Sequence, residues 1–176
     1  MEAAQRMAFR PSVSRAFRRL AWAVPLMAAG CGVFGPVPLD VPPGHRAVLG
    51  RVDLSGEVTE GALEIVKEDR TFEHALPVGP GPGAFAVVLP PGRYRIVRFR
   101  GAQQGKTFRD TLWDLELAFE VGPEPAVYIG TLRLVATYGR APRVSVTDEY
   151  DATLRALRRL YSDLPGVVTR RLISPS

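Results

Sequence analysis

Apolar and polar residues alternate along much of the chain after residue 46, with the period of two that half-buried β-strands show. The clearest case is 113–121, WDLELAFEV, in which every odd-numbered residue is apolar. Segments of similar pattern lie at 47–54, 62–67, 71–76, 84–89, 93–100, 127–135 and 143–146, and 167–173 is predicted to add a last short strand. Turns rich in glycine and proline separate these segments. The pattern therefore predicts a mainly β protein, an antiparallel β-sandwich or barrel of about seven or eight strands.

In two of the predicted strands the alternation changes phase. The changes lie at Ile96–Val97 and around Gly130. An extra residue in one strand of a pair shifts the side chains to the opposite faces, so we predict a β-bulge at each place.

One segment, 148–164, has the period of a helix. Its apolar residues are spaced by four, three, four and three, and its arginines fall elsewhere on the helical wheel; the apolar residues are Tyr150, Leu154, Leu157, Tyr161 and Leu164. Pro165 and Gly166 follow as a stop signal. The sequence predicts one C-terminal amphipathic helix, whose apolar face has to be buried against an edge or one face of the sheet.

The first thirty residues have a different composition. Five arginines and one glutamate precede an uncharged stretch of 11 residues, 20–30, which ends in small side chains. This order is typical of a secretory signal peptide. The stretch is too short to span a bilayer, which needs about 20 apolar residues. Arg18–Arg19 also allows a twin-arginine export signal, but the residues around the pair favour the general route.

The net charge belongs mainly to this segment. Of the formal +5 over 176 residues, +4 lies in the first thirty, which leaves +1 for the remainder. A nearly neutral domain gives no reason to expect a nucleic-acid partner. With 46% apolar residues the chain is also too apolar to be disordered, and its length favours one folded domain.

The end of the uncharged stretch, LMAAGC at 26–31, resembles the lipobox of bacterial lipoproteins. The resemblance implies that Cys31 receives a diacylglycerol through a thioether, that the signal is cleaved before it, and that the new amino group is acylated. Cys31 is the only cysteine, so it has no disulfide partner within the chain. Because Gly32 is not aspartate, the resemblance implies anchoring in the outer membrane, facing the periplasm. Ala28 and Gly30 also suit ordinary signal cleavage, and plain secretion is the alternative.

The segment 31–46, which begins at the cysteine, is rich in proline and glycine. Such a composition favours an extended, semi-stiff spacer. The expected organisation is therefore a signal peptide at 1–30, a lipidated cysteine and tether at 31–46, and a β-sandwich domain at 47–176.

Residues 85–96, FAVVLPPGRYRI, together with Phe119-x-Val121 and the later VYIG at 127–130, resemble the core of prealbumin-like sandwiches. Carboxypeptidase regulatory-like domains share this core. The resemblance implies that Gly92 makes the turn between two strands and that Tyr94 packs inward with its hydroxyl at the rim. It implies no activity, since many functions share one fold.

Motifs for catalysis or cofactors are weak. The segment 101–107, GAQQGKT, has three residues between its glycines where a phosphate-binding loop has four, so we predict a hairpin turn and no nucleotide site. His45 and His74 are the only histidines, and neither lies in a metal-binding or nucleophile motif. We predict no catalytic residue, cofactor or metal. His74, in phase with Phe72 and Leu76, is interpreted as a buried or edge-strand histidine with a satisfied hydrogen bond.

Charged residues crowd one predicted strand, which contains Arg93, Arg95, Arg98 and Arg100. They could bind lipid phosphates or acidic glycans. Alternatively they pair across strands with Asp114, Glu116 and Glu120, which the near-neutral domain favours. Glu64 belongs to a second group of acids, interpreted as solvated charges at a sheet edge.

These patterns support one main hypothesis of function. The chain is expected to be a membrane-anchored lipoprotein of the cell envelope that acts as a non-catalytic structural or protein-interaction module, with another envelope protein as partner. The alternative is a module that binds envelope glycans or anionic lipids, for which the candidate stacking rings are Phe108, Trp113, Tyr128 and Tyr138. A hydrolase would require a pocket in which His74 or several acids converge.

Overall fold

Two β-sheets pack face to face, and one helix covers the outside of the first. The computed structural model describes residues 35–71, 73–102 and 111–175. Within them the strands are β1 Arg46–Gly56, β2 Glu60–Lys67, β3 Glu73–Val78, β4 Gly81–Leu89, β5 Gly92–Ala102, β6 Thr111–Val121, β7 Ala126–Ala136, β8 Arg143–Thr147, β9 Thr169–Arg170 and β10 Ser174–Pro175, and the helix is α1 Tyr150–Leu160. The predicted mainly β sandwich with one C-terminal helix is confirmed.

The first sheet, sheet I, has the order β4-β1-β7-β8, and β9 also pairs with β7. β1 is antiparallel to β4, and β7 is antiparallel to β8. The pairs β1–β7 and β7–β9 are parallel, which the purely antiparallel expectation did not include. β1 and β7 are separated by five other strands, so no hairpin forces them to run in opposite directions.

The second sheet, sheet II, has the order β10-β6-β5-β2-β3, and all its pairs are antiparallel. The short connection from β3 to β4 passes from sheet II to sheet I along one side of the sandwich. On the other side the chain passes from β9 in sheet I to β10 in sheet II. Instead of one strand over 167–173, the C-terminal segment therefore forms two short pairings, because it bridges the edges of both sheets.

The main core lies between the sheets. Tyr94, Phe99, Leu63 and Ile129 are among its fully buried side chains. The Tyr94 ring stacks on Phe119 at 5.4 Å between centroids, which confirms its predicted inward position. Its hydroxyl donates a hydrogen bond to the Pro90 carbonyl oxygen at 2.6 Å. Burial, aided by the charge of Asp69, raises the pKa of Tyr94 to about 12.

Both predicted bulges are present. The β1–β7 register passes from Leu49 opposite Tyr128 to Arg51 opposite Thr131, so β7 has an extra residue next to Gly130. Gly130 has φ +103°, a backbone conformation that favours glycine. The register of β5 with both of its neighbours shifts between Ile96 and Arg98.

A second apolar cluster lies between sheet I and α1. Leu154 and Leu157 of the helix pack with Ala47, Leu49 and Ala126 of β1 and β7. α1 is shorter than the predicted 148–164, because Tyr161 is already extended, at φ −122° and ψ 128°, and forms a parallel bridge with Val37. No helix in the described part of the chain is long and apolar enough to cross a membrane.

Residues 37–41 belong to the folded unit. The Val37 N–H donates to the Leu160 carbonyl at 2.9 Å, and the Ser162 N–H donates to the Val37 carbonyl at 3.0 Å. Leu39 and Val41 pack against the cluster beneath α1. The predicted spacer over 31–46 is therefore docked on the domain from Val37 onward, since its apolar residues, placed between the prolines, find a buried surface there. Residues 31–34 lie outside the described residues.

Candidate functional site

The predicted lipid-attachment residue, Cys31, precedes the first described residue, Gly35. In sequence, the first described segment after it is the one that docks on α1. Leu39 fixes this segment further, because its N–H donates to Asp163 Oδ1 at 2.6 Å. The candidate attachment point is thus followed, six residues later, by backbone that is fixed to the domain.

The four arginines of β5, here named the arginine stripe, lie on the outer face of sheet II; they are Arg93, Arg95, Arg98 and Arg100. They lie beside a groove of about 900 Å³ over β2, β3 and β5. Residues of both charges line this groove; they include Glu64, Lys67, His74, Arg95 and Arg98. Cationic and anionic side chains both border this open groove. Such an arrangement can hydrogen-bond a polar ligand, but it does not direct several acids towards one point.

Arg98 and Arg100 pair across strands, as predicted, but their main partner differs from expectation. Arg98 Nη1 lies 3.2 Å from Glu64 Oε2, and Arg100 Nη2 lies 3.4 Å from Glu64 Oε1. Arg98 Nε also lies 3.4 Å from Asp114 Oδ1, one of the predicted partners. Glu64, interpreted from sequence as a solvated charge, thus bridges two arginines. That partnership depends on β2 lying beside β5, which no local pattern indicated.

The other two arginines of the stripe are different. Arg93 is opposite Glu120 in the β5–β6 register, but Glu120 pairs with Arg171 at 3.2 Å. Arg95 has Ala118 and Val66 as its cross-strand neighbours, which carry no charge. Within the described ranges, neither Arg93 nor Arg95 forms an ion pair. The guanidinium groups of Arg93 and Arg95 are therefore exposed positive charges on the outer face of sheet II.

His74 lies on the edge strand β3, opposite Ile65. It is half-buried, and this burial lowers the pKa of its imidazole below the ordinary value of 6.5 because the charged form loses hydration. Among the described residues there is no group of three or more His, Cys, Asp or Glu side chains that could hold a metal ion.

Three of the four candidate stacking rings belong to the core. Trp113 is 8% exposed, stacks on Phe99 at 5.6 Å, and donates its Nε1–H to the Arg140 carbonyl oxygen at 2.8 Å. Tyr128 is fully buried, and Tyr138 is half-buried against the main core. Phe108 lies outside the described residues. The three described rings do not form an exposed stacking surface for a glycan.

The segment 101–107 is described only at its start. β5 continues through Ala102, and Gly101 pairs with Thr111 of β6. The segment therefore lies between two antiparallel strands, as the hairpin prediction requires. The next described element is the strand β6, whereas a phosphate-binding loop opens a helix.

A polar cluster at the start of α1 was not predicted. Glu149 Oε1 lies 2.6 Å from Arg133 Nη2, and Glu149 Oε2 lies 3.5 Å from Arg51 Nη1. The Glu149 N–H donates to Tyr128 Oη at 2.8 Å. These contacts fix the helix to sheet I. The residues are remote in sequence, so no spacing could have revealed the cluster.

Comparison of the chain with protein-family models, with curated proteins and with solved structures finds no match.

Proposed function

We propose that the chain is a lipid-anchored protein of the bacterial cell envelope, in which the β-sandwich is a non-catalytic structural or protein-interaction module. The observation that carries the proposal is Cys31, the only cysteine, placed directly after an uncharged stretch that ends in small residues. One acyl chain binds a membrane marginally, whereas two or more hold firmly. Three chains on Cys31 would anchor the domain, and the periplasmic side of the outer membrane is the location that this proposal favours.

The described fold is compatible with such a module. Its surface presents a mixed-charge groove, the three described candidate stacking rings are packed in the core, and the segment 37–41 is fixed beside α1. Another envelope protein is the expected partner. We assign no catalytic residue, cofactor or metal.

Substitution of Cys31 tests the anchor. In a bacterial host fed with labelled palmitate, the wild-type chain is expected to be labelled and to sediment with membranes. Cys31→Ala is expected to lose the label and to leave the membrane fraction, because the thiol that accepts the lipid is gone.

Gly32→Ala is the matched control, since it changes the next residue but keeps the thiol, and it is expected to behave as wild type. A Cys31→Ala protein that is still labelled and membrane-bound would contradict the proposal. So would a wild-type chain recovered unlabelled in the soluble fraction, which is the outcome of plain secretion.

A second candidate function is the binding of an anionic envelope glycan or lipid head group at the groove on sheet II. It is favoured by Arg93 and Arg95, whose charges form no ion pair within the described ranges. Arg95→Gln is expected to weaken binding of an acidic polysaccharide such as heparin. Arg143→Gln, an exposed arginine on β8, is the control. Equal binding by both variants would remove the groove from consideration.

A further inference from the structure

The helix α1 and the segment docked on it form a surface whose chemistry suits a phospholipid bilayer. This surface, here named the anchor-side surface, consists of Val37, Arg155, Arg158, Arg159 and Leu160. Val37 is 55% exposed and Leu160 is 52% exposed, although both are apolar. The three arginines are also exposed.

The arginines of this surface differ from six others among the described residues. Arg51, Arg133, Arg170 and Arg171 beside sheet I, and Arg98 and Arg100 on sheet II, all form ion pairs with carboxylates. Within the described ranges, Arg155, Arg158 and Arg159 form none. Of the acids near them in sequence, Asp148 and Glu149 pair with other arginines, and Asp163 accepts the Leu39 amide. Asp151 lies on the same surface of α1 and forms no ion pair within the described ranges. The guanidinium groups are therefore free to bind phosphate oxygens, which their planar shape fits in pairs.

The length of chain between the lipid and the domain limits where this surface can lie. Val37 is fixed to the C-terminal end of α1 by two backbone hydrogen bonds of 2.9 and 3.0 Å. From Cys31 to Val37 there are six residue steps, which span at most about 20 Å even when fully extended. A lipid on Cys31 would thus keep the end of α1 within about 20 Å of the membrane.

We infer that the anchor-side surface is the face that the domain lays on an anionic bilayer, with the arginines on phospholipid phosphates and Leu160 and Val37 at the head-group boundary. This inference rests on the proposed lipidation of Cys31. The groove of sheet II lies on the opposite side of the sandwich from α1, so the same orientation turns the groove away from the membrane.

Two exposed leucines allow a matched test. Leu160 on α1 and Leu112 on the outer face of sheet II are each 52% exposed. The full-length, lipidated protein with Leu160→Trp or Leu112→Trp is reconstituted into phosphatidylcholine–phosphatidylglycerol vesicles whose acyl chains carry bromine, a contact quencher of tryptophan. Wild-type fluorescence supplies the background of the native tryptophans. Leu160→Trp is expected to be quenched and Leu112→Trp to retain its emission.

The arginines are tested on the Leu160→Trp background. Arg155→Glu, Arg158→Glu and Arg159→Glu together are expected to abolish most of the quenching while the protein stays in the vesicles through its lipid. The three corresponding Gln substitutions, which remove charge without reversing it, are expected to reduce it. High salt is also expected to reduce it, because the screening length falls from about 8 Å at 0.15 M to about 3 Å at 1 M.

The outcomes separate this inference from the function on which it rests. A protein that carries lipid and enters the vesicles, but shows equal quenching for the Leu112→Trp and Leu160→Trp variants, overturns the orientation alone. In the Leu160→Trp variant, protection of the introduced indole from aqueous iodide without quenching by bromine also overturns it, since another protein copy would then cover the surface. A protein that carries no lipid and stays out of the vesicles overturns both.

Discussion

The two sheets of the sandwich differ in how many of their faces are buried. In β6 of sheet II, buried and exposed residues alternate from Trp113 onward, because one face meets the core and the other meets water. In β7 of sheet I, seven consecutive residues from Ala126 to Leu132 are buried, and alternation begins only afterwards. β1 has a similar run of four, 47–50. The runs lie where α1 and the docked N-terminal segment cover the outer face of sheet I.

The phase change around Gly130 therefore has two causes, of which the alternation pattern predicts only the bulge. The bulge is real, but it also lies close to the point where β7 passes from burial on two faces to burial on one. A continuous apolar run in an otherwise alternating strand therefore locates the helix that covers it. Sheet II has no such run in β6, and its outer face is occupied by the charged pairs.

One substitution can remove the main contact between α1 and sheet I. Leu157 of α1 is fully buried, and Leu157→Ala is expected to lower the free energy of unfolding by about 2–5 kcal/mol, through lost burial and the cavity left behind. Urea denaturation measures the change. Leu160→Ala, in the same helix but 52% exposed, is the control and is expected to change stability by about 0.5 kcal/mol or less. Equal costs would mean that α1 does not depend on sheet I.

The bulge in β7 is tested by a substitution at Gly130. At Gly130, φ is +103° and an added Cβ would lie 2.9 Å from Val146 Cγ1. Gly130→Ala is expected to cost about 1–3 kcal/mol, because the backbone conformation is strained for any other residue. Thermal or urea unfolding gives the value. Gly83→Ala is the control in β4 of the same sheet, where the nearest atom is 4.0 Å away, and a similar loss there would remove the special role of the bulge.

Sequence predicted the fold better than the surface chemistry. Alternation located eight strands, and the apolar spacing from Tyr150 to Leu164 located the helix, because both periods are local. The parallel β1–β7 pair and the Glu64 bridge depend on contacts between distant segments, which alternation does not record. The prolines of 31–46 predict a spacer. Leu39 and Val41, which lie between two of those prolines, supply the apolar contacts that dock it on the domain. Cys31 remains a prediction from sequence alone.

The half-burial of His74 at the edge of sheet II predicts a dependence of stability on pH. Its pKa in the folded protein lies below 6.5, so the unfolded chain binds a proton more readily. Stability is therefore complete above pH 6.5 and falls as the pH drops below it, by at most about 1.4 kcal/mol per pH unit for one proton. Unfolding midpoints of wild type and His74→Gln from about pH 7.5 to pH 5 test this. His45 is present in both proteins, so a decline of equal size in both would contradict the assignment to His74.

The smallest effects come from two carboxylates that differ mainly in which sheet their arginine partners belong to. Glu64 and Glu149 each bridge two arginines and are 28% and 27% exposed, one on the open face of sheet II and the other between sheet I and the start of α1. Glu64→Gln is expected to cost only a few tenths of a kcal/mol, because its pairs are exposed and screened by salt. Glu149→Gln is expected to cost about 1 kcal/mol, since it leaves Arg51 partly buried with a weakened partner. Urea unfolding of each variant at low and at high salt measures how much of its stability cost salt removes. If salt removes a larger part of the cost for Glu64→Gln than for Glu149→Gln, the face of sheet II is open and the face of sheet I is covered. Equal losses would show that the helix does not shield the charges beneath it.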